Sequence, residues 1–101
     1  MDPVVAAREL ERLGRVLPAE GWATEPHRLD RVPRLRVFDP DTPRFGDRVG
    51  VTDGPGGEPW FVSSTEELVS PVWDLPCAVE RIGKLIETFR PLARRLGLAG
   101  R

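Results

Sequence analysis

Apolar residues recur at helical spacing only at the two ends of this chain, and between them the period drops to two. That order constrains the fold more than any other feature, because periods of 3.6 and 2 bury different sets of side chains. At the first end, Asp2 precedes Pro3. An aspartate N-cap accepts a bond from a helix N–H that lacks an intrahelical partner, and proline at the first helical position has no N–H to leave unpaired. Ala6, Leu10, Leu13 and Leu17 then form one apolar stripe, flanked by Val5 and Val16. Arg8, Glu9, Glu11, Arg12 and Arg15 occupy the other face, with Arg8–Glu11 and Glu11–Arg15 spaced to pair. Pro18 ends the pattern, and the predicted helix covers 3–17.

At the other end, Asp74 caps a second predicted helix through Leu75-Pro76. Ala78, Val79, Ile82, Leu85, Ile86 and Phe89 recur every three or four residues, and Ile82 and Leu85 are expected in the core. Pro91 removes a backbone donor and clashes with the preceding turn, so the helix is expected to kink or break near Arg90. Leu92, Leu96 and Leu98 continue an apolar pattern beyond it, with Gly97 as a C-terminal cap.

Between the helices, Arg34–Phe38 and Arg48–Thr52 alternate polar and apolar, the strand period. Pro59–Ser63 is rich in aromatic and β-branched residues, and Leu68–Val72 completes a meander, with Pro71 placing it at an edge. Asp39–Pro43, Asp53–Gly57 and Ser64–Glu67 read as breaks or turns. Residues 18–33 have no clear period and leave open whether they include a strand; one reading is a short strand around 21–25 followed by a loop. Short links force antiparallel pairing. The expectation is one α+β domain over 1–101, a two-layer sandwich. Three to four antiparallel strands present Leu35, Val37, Val49, Val51 and Phe61 to two helices, and the other sheet face is left to solvent or a partner.

A chain of 101 residues buries roughly 65% of its unfolded surface, enough for one core without staples. Cys77 is the only cysteine, so no intrachain disulfide is possible. No apolar run approaches the ~20 residues of a membrane span, and the N-terminus lacks the basic-then-apolar order of a signal peptide. A cytoplasmic protein without membrane attachment is expected. Fifteen basic residues include a single lysine, Lys84. With 11 prolines and 10 glycines, that bias points to codon pressure in a high-GC bacterial genome.

Chemistry-bearing sets are few. Cys77, in the first turn of the second helix, has only His27 in the chain as a histidine base, with no spacing that joins them, and reads as a small buried hydrophobe. One Cys and one His cannot supply a zinc set. Asp39, Asp41 and Asp47 lack the ligand rhythm of a calcium loop and read as part of a solvated loop. The glycines of 53–57 lie between strands rather than before a helix, so they do not form a phosphate loop. The carboxylate pairs Glu9/Glu11 and Glu66/Glu67 read as solvated. No metal, cofactor or catalytic residue is expected.

Arginine and tryptophan remain. His27, Arg28, Arg31, Arg34 and Arg36 cluster within one short stretch, and Arg34 and Arg36 share a strand face. A second set, Arg90, Arg94, Arg95 and Arg101, gathers at the C-terminus. Trp60 and Phe61 must point to opposite faces of their strand. Arg and Trp are the types that concentrate binding energy at interfaces. The expectation is therefore a non-enzymatic protein-interaction module, a small accessory or regulatory protein that binds through Trp22, Arg34, Arg36, Trp60 and Trp73. Its partner would be another protein or a second copy, a homodimer formed through the C-terminal leucines or an edge strand. The alternative is a small-molecule or anion-binding domain, enzymatic or not, with a pocket between helix and sheet. Nucleic acid is disfavoured by a net charge of −1 and by carboxylates interleaved with the arginines.

Overall fold

The Asp2 carboxylate accepts the Val4 N–H at 2.8 Å and starts helix α1, Pro3–Val16, as its sequence requires. A single 3-10 turn, Leu17–Glu20, follows from Pro18. The chain then forms β1 (Ala23–Leu29), β2 (Val32–Asp39), β3 (Thr42–Asp53), β4 (Pro59–Val62) and β5 (Leu68–Pro71), and closes with α2, Leu75–Glu87. This is a computed structural model; it describes residues 1–29 and 31–88. The expected kink at Pro91, the C-terminal leucines and the arginines from Arg90 onward lie outside the described residues. No helix among the described residues is long and apolar enough to cross a membrane.

The fold is the expected α+β arrangement, with five antiparallel strands in the order β1-β2-β3-β4-β5 rather than three to four. The added strand is β1, which pairs with β2 from Ala23↔Phe38 to Leu29↔Val32. Its own pattern does not announce it. Pro26 lacks an N–H, which an edge strand tolerates on its outer side, and the pairing with β2 supplies the order that alternation does not. The break foreseen at Asp39–Pro43 is a tight hairpin, with Asp39 ending β2 and Thr42 opening β3. Of the three aspartates assigned to a solvated loop, Asp41 is exposed but Asp39 and Asp47 are buried. Asp39 accepts the Asp41 N–H at 2.9 Å, and Asp47 accepts the Ser64 N–H at 3.3 Å and the Ser64 hydroxyl.

Both helices cover one sheet face, α1 over β2 and β3, and α2 over β5 and β3. Leu13, Leu17, Val37, Val49, Phe61, Ile82 and Ile86 are fully buried between the layers. Arg81 ties α2 to β5 by donating from Nη1 to the Val69 carbonyl at 2.7 Å. On α1, Glu9 is buried rather than solvated, with Arg12 at 3.0 Å and Arg8 at 3.6 Å; Glu11 pairs with Arg15. On α2 the buried stripe is Ala78, Ile82, Gly83 and Ile86, while Leu85 is only half-buried. The periodic set spans more than one face's width, and the helix turns the Ala78–Ile82–Ile86 row inward. Cys77 is half-buried, its backbone N–H donating to the Asp74 cap at 3.2 Å. We therefore expect Ile82→Ala to cost ~2–5 kcal/mol and Leu85→Ala under ~1.5 kcal/mol, read from urea unfolding midpoints; equal losses at both sites would contradict this helix rotation.

Candidate functional site: an arginine-lined cleft on the open sheet face

Alternation along each strand sorts the side chains onto two faces. Leu35, Val37, Val49 and Val51 point into the core, so Arg34, Arg36, Arg48 and Thr52 point away from the helices. Register then sets their neighbours. Arg36 stands directly opposite Arg48 on β3 and opposite Glu25 on β1, and Arg34 stands opposite His27.

The sheet is not evenly paired here. The β2–β3 ladder begins at Leu35↔Val49, and from Gly50 onward β3 pairs with β4, beginning at Gly50↔Val62. Where β3 changes partner, Arg34 lays its guanidinium over Gly50; a Cβ at that position would collide with it. A cleft of about 720 Å³ opens at this place, bordered by Arg34, Arg48, Glu66, Val32, Val62 and Leu68 among others. Val32 and Leu68 are 42% and 45% exposed, so the cleft has apolar lips. Arg48 also borders a smaller adjoining pocket of about 220 Å³, with Arg36, Arg44, Asp47 and Ser64, and there the Asp47 carboxylate is taken up by Ser64.

The arginines differ in how they are held. Arg36 lies 4.1 Å over the Phe38 ring, donates from Nη2 to the Pro43 carbonyl and has Glu25 at 3.7 Å. Such stacking and bonding fix its planar fork in place. Arg34, Arg44 and Arg48 have no ion pair among the described residues. Like charges directly opposite across an antiparallel pair destabilise it. The Arg36–Arg48 pair is thus a local cost, eased for Arg36 by its own partners, while Arg48 has no ion pair among the described residues. A site of this kind is suited to hold carboxylate or phosphate oxygens.

The tryptophans do not all join this cleft. Trp60 projects from the same face of the sheet, opposite Thr52, and folds over Gly54, where a Cβ would collide with the indole; its Nε1 is buried without a hydrogen-bond partner among the described residues. Trp22 is 7% exposed and lies in the core layer, 3.4 Å from where a Gly83 Cβ would stand. Trp73 stands 66% exposed on the turn between β5 and α2. Arg44 and Arg48 join this face without having been singled out among the sequence's candidate residues. Their strand was visible, but the register that sets Arg48 against Arg36 was not. A groove between helix and sheet also exists, about 410 Å³ beside Leu10, Gly14, Pro26 and Leu35, with Arg15 and Arg34 at its border. No cluster of His, Cys, Asp or Glu among the described residues could hold a metal ion.

No protein-family model matches this chain, and no curated protein or solved structure matches it significantly.

The charge geometry yields a stability test that needs no ligand. Arg48→Glu converts the opposed like pair into an opposed ion pair and is expected to stabilise the domain by ~0.2–1 kcal/mol in urea unfolding. A loss of stability of that size would mean that Arg48 supports the fold.

Proposed function

We propose that this domain is a protein-interaction module that takes an acidic, partly apolar segment of a partner protein across the open face of its sheet. The observation that carries the reading is the opposed pair Arg36–Arg48, with Arg34 beside it on the same face and Glu25 as the one carboxylate in ion-pair range among the described residues. An arrangement that costs the free protein stability is compensated when an anion is present. Bound carboxylates would replace Arg–Arg repulsion with charge-assisted hydrogen bonds, each contributing ~1.5–3 kcal/mol.

Charge alone does not distinguish a peptide from other anions; the apolar lips do. Val32 and Leu68 flank the arginines, and Trp60 stands on the same face. Desolvated apolar contact around arginine is the chemistry of protein interfaces. A nucleic-acid surface would instead call for an excess of basic charge, and the chain carries a net −1. The anion-binding alternative draws on the pocket at Arg36, Arg44 and Arg48, whose size suits a single small anion. The helix–sheet groove is a weaker candidate, since its lining is mostly apolar and only Arg15 and Arg34 of the arginines border it.

Titration of the isotope-labelled protein with three probes tests the reading by amide shifts. The probes are a capped peptide of alternating glutamate and leucine, inorganic phosphate, and a single-stranded oligothymidylate. The peptide is expected to move amides of β2, β3 and β4, and Arg48→Glu is expected to weaken it at least ~10-fold, the equivalent of one lost charge-assisted contact. Equal response to phosphate alone would favour the small-anion reading. Tighter binding of the oligothymidylate with a steep salt dependence would overturn the proposal.

A further inference from the structure

The larger cleft lies where the rungs of a ladder are missing. Beyond Leu35↔Val49, β2 and β3 no longer pair, and Val32 and Arg34 face Val51 and Thr52 across the 720 Å³ cleft. The main chain explains the break. The Gly54 N–H donates to the Glu58 carbonyl, so by alternation Gly50 and Thr52 also turn their main-chain groups toward β4. Val49 and Val51 turn theirs toward β2. Leu35 matches Val49, but the residue that would match Val51 is Pro33, which has no N–H to donate. Among the described residues, the Val51 N–H therefore belongs to neither ladder. The Val51 side chain lies in the core, so the part of Val51 that borders the cleft is its main chain.

Arg34 brings a second donor to the same point. Its guanidinium covers Gly50, next to Val51 and to the last rung of the ladder. It has no ion pair among the described residues. Val32, Val62 and Leu68 flank the cleft with apolar side chains, and Glu66 is the one carboxylate on its border, against Arg34 and Arg48. An extended chain that takes the place of the missing rungs cannot run past Leu35↔Val49, because there β2 and β3 bond each other. It has to end at that point. A guanidinium beside a main-chain N–H suits a carboxylate and repels an ammonium. Resting on the reading of the open face as an arginine site for a partner's acidic segment, we propose that the cleft between β2 and β3 anchors that segment by its C-terminus. Arg34 and the Val51 N–H bind the terminal carboxylate, the Val51 carbonyl accepts an N–H of the entering chain, and the last apolar side chain rests between Val32 and Leu68.

The test compares two forms of one peptide, alternating glutamate and leucine and ending in valine, with either a free C-terminal carboxylate or a C-terminal amide. Each is titrated into the isotope-labelled full chain. The free acid is expected to bind at least ~10-fold more tightly, the equivalent of one charge-assisted contact, and to shift the Val51 amide proton downfield. Arg34→Gln is expected to bring the free acid to the affinity of the amide form while the core signals stay in place. Equal affinities of the two forms for the unsubstituted chain overturn the inference and leave the proposed function standing. A preference for the free acid that persists in Arg34→Gln without a shift at Val51 also overturns it, because the carboxylate is then held elsewhere. Binding of neither form overturns the proposed function together with the inference.

Discussion

Strand β3 holds this domain together by changing partners part-way along its length. Its first half pairs with β2 and its second half with β4, and it also contacts both helices. Where the two ladders meet, Gly50 leaves room for a side chain from β2. Val49 and Val51, on either side of the junction, remain in the core. The apolar layer is therefore continuous while the opposite face opens. The cleft is a consequence of how the sheet is joined, and Arg34 enters it because no Cβ stands in its way.

The same junction organises the polar groups. Asp47, just before the change of partner, bonds the Ser64 N–H and hydroxyl and so anchors the β4–β5 turn to β3. Burying a carboxylate requires such donors, since an unpaired buried charge is strongly unfavourable. That anchor positions the turn beside Arg48, so the arginine pocket and the larger cleft share a wall. Arg36 gains its fixed orientation from Phe38, Pro43 and Glu25, all within β1, β2 and the start of β3. Arg36 is thus a preorganised donor beside two arginines that have no ion pair among the described residues.

The two layers carry opposite electrostatic character. The open sheet face concentrates arginines, while a groove between the helices concentrates carboxylates over an apolar floor. A net charge near zero conceals this, because the whole-chain sum cancels surfaces that lie on different sides of the sheet. Net charge bears on solubility and long-range steering, whereas recognition depends on the local field.

Much of the architecture was determined by the sequence alone. Asp2-Pro3 and Asp74-Leu75-Pro76 carry their own cap chemistry, and the stripes through Leu10, Leu13 and Ile82 bury whichever way the rest is arranged. Alternation in Arg34–Phe38 and Arg48–Thr52 was enough to put Arg34 and Arg36 on the face away from the helices, and to set Trp60 against Phe61. Strand β1 was legible only as an open reading around 21–25, and its run to Leu29 was not, because an edge strand with a central proline gains its order from pairing with a neighbour rather than from its own pattern. The buried positions of Glu9, Asp39 and Asp47 were hidden for a related reason: a carboxylate's burial is decided by donors from Arg8, Arg12, Asp41 and Ser64, some distant in sequence. Leu85 lost its expected core place to the rotation of α2, which depends on how Ala78 and Gly83 fit against the layer beneath. The opposition of Arg36 and Arg48 belongs to tertiary structure entirely. A shift of one residue in the β2–β3 register would send every side chain of one strand to the other face, and that register is set by burial of Leu35, Val37 and Val49 together, which no single segment specifies.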